Sequence, residues 1–598
     1  MPLMGSLYVG TSGLQISQNA LNTTAHNLSN IDTVGYVRQQ VQQATKSYVT
    51  LSTNPKAVNN QQYGLGVEYA RVKHIRDYFL DKAYRRESGR SMFYEVSTEV
   101  MEEIEGQLGE MNGEAFQGTL TDFWTSIQEL TKDPASSVTQ GLLVQRAAEL
   151  IQRGKAVYNG LCAYQDNLNA KIKDQINTIN AYGKQIVALN DAIRAVEAGN
   201  VESANDMRDA RDQLLDELSE MANVDFGEDI NGNVWVQIEG KDFVKNDKCF
   251  TIALDVDAET GFYTPYWAQD ATYRTLPDGR KEIIIDGAQV FNVKKEISTE
   301  LNTDIGGVKA MLLARGDHRA DYTDVENNYD GVSQSIIMNI QAEFDQLIHN
   351  VAVKVNEILG TAAGVTQLGQ SVTATAEDGT VITLGQGSMY CVDDVGGYMR
   401  KDDGSPIQMF TKIGDEGYRK VKLTADIKDK DGKVLAAAGT DIWVYNPENV
   451  KNPKDAPESI YTISNLQVDQ ELMQKPSMLG MRLPDGSEDK ATADALKAAF
   501  TEESYRLNPN VNKRTSLIEY YDDLVSQVAN SGYAFRNIYD NQVDAVEAIC
   551  AGREQISGVS SDEELSYMIK FQNAYNASSR YINVIDQMLE HVLSTLGV

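Results

Sequence analysis

The sequence predicts an α+β multidomain protein, in which long helices at the two chain ends join a helical rod that carries β-rich insertions. Apolar residues recur with heptad spacing at both ends and with helical spacing through much of the interior. Two interior stretches instead show short alternating runs between turn dipeptides, which is the pattern of short strands. With 42% hydrophobic residues among 598, the chain has enough apolar material for several cores.

Residues 1–50 are predicted to form an axial coiled-coil helix. Charged residues are scarce in this segment, and leucines recur at every seventh position. A stripe this narrow packs against one or two partner helices and cannot build a core alone. The stripe consists of Leu7, Leu14, Leu21 and Leu28, with Thr11, Gln18 and Ala25 at the intervening seam positions.

The final segment of the chain carries a second heptad stripe, which predicts a long terminal helix. Ser561 and Glu564 match the capping-box pattern Ser-x-x-Glu at its start. The seam positions follow with three–four spacing: Met568, Phe571, Tyr575, Ser578, Ile582, Ile585, Leu589, Val592 and Leu596. Since neither stripe can be covered within its own helix, we expect the two terminal helices to pair in space.

Between the ends, helical and strand-like patterns alternate. The helical pattern is clearest over 172–196, and dipeptides such as Asn231-Gly232 and Asp378-Gly379 mark turns between strands. The predicted segments are 1–50, the N-terminal axial helix; 51–223, a helical rod domain; 224–300, a β-rich domain; 301–363, a helical return to the rod; 364–509, a β-rich insertion; 510–557, a rod helix; and 558–598, the C-terminal axial helix. We expect 364–509 to be removable, because closing a loop on a helical scaffold costs little.

Charge and cysteine content argue against several functional classes. A net charge of −32 repels phosphate backbones and anionic lipids, so we expect neither nucleic acid nor a membrane as partner. The cysteines lie far apart, without the spacing of a zinc site; they are Cys162, Cys249, Cys391 and Cys550. The first arginine or lysine is Arg38, so no cleaved signal peptide is predicted, and no apolar run is long enough to span a membrane.

The sequence offers no catalytic motif. It contains no HExxH, GxxxxGK[ST] or GxSxG pattern, and its five histidines are scattered. The nearest match to a calcium loop begins at Asp255, but it has Thr260 where an EF-hand needs glycine and Tyr266 where it needs glutamate. We therefore expect no enzymatic activity, no cofactor and no metal.

Motifs at both ends resemble the terminal signatures of the flagellar rod, hook and hook-associated axial proteins. They are Ser12-Gly13-Leu14, Asn27-Leu28-Ser29-Asn30 and Thr33-x-Gly35-Tyr36-x-Arg38 at the N-terminal end, and Phe571-Gln572-Asn573-Ala574-Tyr575-Asn576-Ala577-Ser578 with Asp586-Gln587-Met588-Leu589 at the C-terminal end. Apart from the resemblance, Asn30 can cap or turn a helix end. Gly35 permits a backbone conformation that lets Tyr36 fold back onto the helix.

Interior motifs are similar to those of the hook-associated members at the hook–filament junction. They are Asn205-Asp206-x-Arg208-Asp209-x-Arg211-Asp212-x-Leu214-Leu215-Asp216-x-Leu218, Asp77-x-Phe79-Leu80-Asp81, Phe123 with Pro134, and Gly306-Gly307. The resemblance does not cover 364–509. It implies a homo-oligomeric ring that touches hook protein and the next hook-associated protein. It also implies type III export with a chaperone, an extracellular location, and assembly through Asn30, Gly35, Tyr36 and the two terminal stripes.

Three alternatives remain open from the sequence. A hook or rod protein would share the terminal signatures, but the motif at 205–218 argues against it. An adhesin or glycan binder could use the turn-rich 364–509 segment, whose composition permits that role without specifying it. An enzyme embedded in an axial protein would need a catalytic constellation, and none is evident.

Overall fold

The computed structural model describes residues 3–52, 61–109, 116–199, 202–230, 232–275, 281–394, 399–429, 432–483 and 485–596. Within these ranges the helices are α1 (Leu3–Ser29), α2 (Tyr78–Leu108), α3 (Phe116–Lys132), α4 (Ser137–Glu197), α5 (Asn205–Met221), α6 (Gly307–Arg315), α7 (Tyr322–Asn327), α8 (Tyr329–Val332), α9 (Ile336–Ala362), α10 (Gln470–Gln474), α11 (Lys490–Thr501), α12 (Leu517–Ser557) and α13 (Ser561–Leu596).

The strands in the same ranges are β1 (Gln39–Thr45), β2 (Val49–Ser52), β3 (Gln61–Tyr63), β4 (Val67–His74), β5 (Val224–Glu228), β6 (Val234–Ile238), β7 (Lys241–Lys245), β8 (Lys248–Cys249), β9 (Ile252–Val256), β10 (Tyr263–Trp267), β11 (Thr272–Thr275), β12 (Lys281–Ile284), β13 (Thr366–Gln367), β14 (Val372–Ala376), β15 (Val381–Leu384), β16 (Met389–Val392), β17 (Phe410–Lys412), β18 (Tyr418–Leu423), β19 (Ile427–Lys428), β20 (Val434–Ala436), β21 (Asp441–Tyr445) and β22 (Leu466–Val468). The larger sheets are antiparallel, with orders β5-β6-β7-β8 and β13-β16-β21-β18-β14-β15. The predicted α+β multidomain class is confirmed.

The helical body is built from α2, α3, α4, α9 and α12, which bury one continuous apolar core. Phe116 on α3 lies in this core, with its ring centroid 4.9 Å from those of both Phe344 on α9 and Tyr521 on α12. The hydroxyl of Tyr521 donates to the carbonyl oxygen of Leu108 at the end of α2. The body therefore joins helices from distant parts of the chain.

Helix α4 forms where the sequence shows its clearest helical stripe. Ser136 caps its start, because its side chain accepts a hydrogen bond from the amide of Val138. Ile172, Ile179 and the other isoleucines of the stripe are buried. A Cβ added at Gly183 would lie only 2.5 Å from the ring of Phe243, so this glycine lets the β5–β8 sheet pack directly on α4.

The N-terminal helix is shorter than the 1–50 segment predicted from the sequence. Helix α1 ends at Ser29, and a turn then leads into β1, which pairs with β4. Asn30 ends the helix, since its side-chain amide donates to the carbonyl oxygen of His26 and its side-chain oxygen accepts from Thr33. We call α1, β1–β4 and α13 the axial unit.

The 364–509 segment is not a self-contained insertion. Strands β13–β16 and β18–β21 enclose a small core of their own, which we call the lobe. The rest of the segment contributes to the core of the body: the ring centroid of Phe123 on α3 lies 6.2 Å from that of Phe410 and 5.6 Å from that of Phe500. The excision expected from the sequence would therefore remove part of the body, because the same turn-rich composition runs through lobe and body.

The lobe should unfold without unfolding the body when Ile442→Asp is introduced. Ile442 on β21 is fully buried in the lobe core, so an aspartate there lacks both solvent and a partner. Calorimetry should show the body transition within about 2 °C of the parent, and filaments should still form. The matched variant Phe410→Asp should instead destabilise the body. Loss of the body transition in Ile442→Asp would contradict a separate lobe.

A buried carboxyl on α9 should make the body less stable as the pH rises. Burial raises the pKa of Glu343 from 4.5 to about 7, although Asn339, Asn508 and Gln527 donate hydrogen bonds to it. The folded state then keeps a proton that the unfolded state has lost, so stability falls between pH 4.5 and 7, by on the order of 3 kcal/mol. Thermal unfolding of Glu343→Gln should depend less on pH in this window; an unchanged slope would contradict the assignment.

Candidate functional site: the paired chain ends

Helices α1 and α13 pack against each other in antiparallel orientation. A Cβ added at Gly10 would lie 2.8 Å from Cγ1 of Ile582, and one added at Gly13 would lie 2.9 Å from Oγ of Ser578. Asn27, near the other end of α1, donates a hydrogen bond to Glu564 at the start of α13. Each step forward along α1 is thus a step backward along α13, and the two ends of the chain form one hairpin-like pair.

The face of α1 that meets α13 is lined mainly by small and polar residues. Buried positions on α1 are Gly10, Ile16, Ser17, Ala20, Thr24 and Asn27. Together with Gly13, the residues other than Ile16 follow the three–four spacing of a helical seam, and their small side chains let the helix backbones approach closely. The predicted stripe of Leu7, Leu14, Leu21 and Leu28 lies beside this seam and is only half-buried. Its role in assembly remains a prediction.

The structure places the C-terminal stripe on the protected face of α13. Ile585 is buried, with 2% of its surface exposed. Met568, Phe571, Tyr575, Ser578, Ile582, Leu589 and Val592 are half-buried, whereas most residues between them are exposed. Leu596 lies at the end of α13, and its side chain is outside the described residues. Sequence periodicity thus located this face correctly, while the assembly role of its residues remains a prediction.

A cluster of hydrogen bonds around Asn27, which we call the hub, lies where α1 ends and α13 begins. We call this end of the helix pair its base. Asn27, only 1% exposed, accepts from the backbone amide of Gln39 and donates to the carbonyl oxygen of the same residue. Tyr36 folds back and donates its hydroxyl proton to Asn27 Oδ1 at 2.7 Å. Gly35, with φ of 78°, turns the chain to allow this. Burial and nearby acidic side chains raise the pKa of Tyr36 well above its usual value, so the hydroxyl stays a donor.

Glu564 joins the hub to α13 and is not part of a capping box. Helix α13 already begins at Ser561, so Ser561 is not the residue before the helix. Glu564 is 2% exposed, and its carboxylate accepts from Asn27 at 3.2 Å and from Arg38 Nε at 2.8 Å. The guanidinium of Arg38 also pairs with Glu563 at 2.9 Å. The acidic residue that resembled a cap is instead the contact between the two terminal motifs.

Sequence reasoning missed two further features of the axial unit. The β1–β4 ribbon lies along α1, where the amide of Val67 donates to Oγ of Ser12 at 3.3 Å. Six large apolar side chains of α13 outside its seam are also exposed: Leu565, Ile569, Tyr581, Val584, Met588 and Leu593. Their spacing along the helix is irregular, so hydrophobic periodicity gave no signal for them.

Among the described residues, no group of three or more histidine, cysteine, aspartate or glutamate side chains is arranged to hold a metal ion. No described helix is both long and apolar enough to cross a membrane. Cys162 and Cys391 are buried, and Cys249 and Cys550 are half-buried; all four are free thiols. The paired chain ends are therefore the best-defined candidate for function.

Three protein-family models match the chain. "Flagella basal body rod protein" matches residues 7–36, and "Flagellar basal body rod FlgEFG protein C-terminal" matches residues 551–595. These two matches cover most of α1 and α13. "Flagellar hook-associated protein FlgK helical domain" matches residues 101–372, which lie in the body.

Curated relatives extend the similarity to nearly the full chain. Flagellar hook-associated protein 1 of Bacillus subtilis is 23% identical over 589 residues, covering 98% of this chain and 97% of the relative. The protein of the same name in Salmonella typhimurium is 23% identical over 593 residues and covers 98% of both chains. A solved structure of the flagellar hook junction protein FlgK from Burkholderia pseudomallei aligns with 12% identity and a TM-score of 0.47, over 80% of this chain and 100% of that one.

The two terminal matches, both to flagellar rod proteins, coincide with α1 and α13. The interior matches the FlgK helical domain, and the relatives that are similar over nearly their whole length are named hook-associated protein 1. The chain is thus similar to flagellar axial proteins at both ends and to hook-associated proteins over nearly its full length.

Glu564→Gln should loosen the base of the axial unit more than Glu563→Gln does. Glu564 is buried between Asn27 and Arg38, whereas Glu563 is exposed. Removing a buried charge that satisfies two donors costs about 1–3 kcal/mol, and removing an exposed ion-pair partner costs less than about 1 kcal/mol. Amide exchange over 36–39 in the isolated chain should therefore quicken chiefly in Glu564→Gln. Equal effects would show that Glu564 does not hold the base together.

Proposed function

We propose that this chain is a structural subunit of the hook–filament junction, and that its paired terminal helices carry the mechanical coupling. The supporting observation is the antiparallel pairing of α1 with α13, tied at its base by Asn27, Glu564 and Arg38. The similarity of both chain ends to flagellar rod proteins supports an axial position for these helices. The role is structural rather than catalytic.

Neighbouring subunits would complete the axial unit. Six large apolar side chains of α13 outside its seam are exposed, and the leucine stripe of α1 is only half-covered. Burying one large apolar side chain contributes about 1.5–3 kcal/mol, so a few such contacts are enough to hold copies together. We expect a homo-oligomeric ring or short helical layer, with hook protein on one side and the next hook-associated protein on the other.

Before assembly, the same apolar side chains would be exposed to solvent. An export chaperone with an apolar groove could bind α13 along its exposed face, since a helix laid in a groove is a common recognition mode. Export would follow the flagellar type III route, without a cleaved signal peptide, to the extracellular flagellum. Chaperone, ring and neighbouring proteins together form the expected partner set.

Electron microscopy of cells that lack this protein tests the proposal. A junction subunit should leave hooks in place without filaments, and the wild-type gene should restore the filaments. Absence of the hooks themselves would favour the alternative of a hook or rod protein. Filaments of normal length and number, with loss of attachment to surfaces, would favour an adhesive role for the lobe.

A further inference from the structure

Helix α5 lies between the axial unit and the body and carries an acidic residue on almost every turn of one face. Asp206, Asp209, Asp212 and Asp216 follow each other at spacings of three, three and four. This spacing lines all four carboxylates along one side of the helix. The sequence motif at 205–218 that resembles the junction proteins contains all of them.

The axial unit contacts the body along the first part of this row. Asp206 accepts from the side-chain amide of Gln39 at 3.1 Å and lies 3.5 Å from the imidazole of His26. Asp209 accepts from the backbone amide of Val37 at 3.2 Å. These donors come from α1, from the turn after it and from β1, so one row of carboxylates holds three parts of the axial unit.

The next two aspartates of the row, Asp212 and Asp216, bond to residues near the two chain segments that connect the axial unit to the body. Arg76, which lies between β4 and α2, pairs with Asp212. Asp216 accepts from Arg553 at 2.9 Å, near the end of α12 where the chain turns into α13. The row of carboxylates thus extends along the joint, by which we mean the region where the axial unit meets the body. It reaches both points at which the chain passes between the two.

The arginines of the same motif point elsewhere. Arg208 pairs with Glu197 at the end of α4 at 2.7 Å and with Glu228 on β5 at 2.6 Å. Arg211, almost fully buried, donates to Asn190 on α4 and to the carbonyl oxygen of Gly232. Arg85 on α2 also pairs with Asp212 and with Asp216. The two arginines and these two aspartates therefore anchor α5 in the body, whereas Asp206 and Asp209 contact the axial unit.

We propose that α5 is an orienting bracket, in which Arg208 and Arg211 fix the helix to the body and Asp206 and Asp209 set the angle of the axial unit. This inference rests on the proposed junction role, where one subunit must fit two different lattices. The bonds from Val37, Gln39 and His26 reach Asp206 and Asp209 in the first turns of α5, so changing these two aspartates should alter the angle without unfolding either part. Asp206 and Asp209 are the positioning residues, because they contact the axial unit and not the rest of the body.

Hydrogen exchange on the isolated full-length chain tests the bracket. In Asp206→Ala/Asp209→Ala, the amide of Val37 loses its acceptor, and its exchange should rise at least about tenfold. The amide of Gln39, bonded to Asn27 within the axial unit, should keep its protection. Alanine favours the helix, so α5 itself should remain intact. Small-angle scattering should show a wider range of overall dimensions than for the parent.

Two further variants separate positioning from simple stabilisation. Arg208→Gln should lower the melting temperature of the body while leaving exchange at Val37 near the parent value. Asp209→Asn keeps an oxygen acceptor, so Val37 should be partly protected again. Unchanged exchange in the alanine double variant, or a matching loss of protection throughout the body, would overturn the bracket. Because these readouts use the isolated chain, they are independent of whether filaments form in cells.

Discussion

Replacing Ile582 and Ile585 together with aspartate should abolish filaments while leaving the body folded. Ile585 is 2% exposed, and Ile582 contacts α1 at Gly10, so both charges would enter the seam between the terminal helices. Burying each unpaired carboxylate costs about 2 kcal/mol or more, which exceeds what a single contact can offset. Cells lacking the native protein should form no filaments with this variant, although calorimetry of the purified chain should show the parent transition for the body.

The exposed positions Asn576 and Asn583 provide a matched control on the same helix. Asn576→Asp/Asn583→Asp adds the same charge to α13 but keeps it in solvent, so filaments should form normally. Filaments of normal number from the isoleucine double variant would mean that the seam is incidental to assembly. That result would remove the main support for coupling through the paired ends.

Gly10→Val/Gly13→Val should separate α1 from α13 and prevent assembly. The added Cβ atoms would lie 2.8 Å from Ile582 and 2.9 Å from Ser578, closer than atoms in contact can approach. Overpacking of this kind costs about 1–3 kcal/mol for each site. Since valine has a higher helix propensity than glycine, any loss must come from packing between the helices. Amide exchange along α1 should quicken in the purified chain, and filaments should be lost.

Thr11→Val is the corresponding control for the glycine variant. Thr11 lies between the two glycines in the sequence but is exposed, so a β-branched apolar residue there meets no neighbour in the isolated chain. Its exchange should match the parent. If the glycine double variant also matched the parent in exchange, the close approach of the two helices would not be needed for their pairing.

The sequence identified α13 more fully than α1, and the reason is physical. Periodicity methods detect large apolar residues, and the inward face of α13 is made of them. The inward face of α1 is made of residues such as Gly13, Ser17 and Thr24, which bury little apolar area and leave almost no hydrophobic signal. The leucines, which do leave a signal, lie beside the seam and remain half-exposed.

The boundary between the lobe and the body could not be predicted from the sequence for a related reason. Phe410 and Phe500 reach the core of the body from a stretch whose composition matches that of the lobe. Only long-range contacts distinguish the two, and a single sequence carries no direct record of such contacts. The ribbon of β1 and β4 was missed because glutamines dominate β1. Its sequence therefore lacks the alternation of apolar and polar residues by which a strand is usually recognised. Glu564 was assigned to a local cap because its true partners lie more than 500 residues away.

The way α2 and α12 meet the axial unit determines how tension would pass through the subunit. The N-terminal end of α2 and the C-terminal end of α12 lie side by side at the joint, as the 3.1 Å ion pair between Asp81 and Arg553 shows. Farther along, the ring of Tyr94 on α2 lies 6.4 Å from that of Phe535 on α12, so the two helices run antiparallel. A pull on the axial unit therefore draws both helices along their length at once. Sliding them out of the body would shear many side-chain contacts together, whereas peeling would break them one by one.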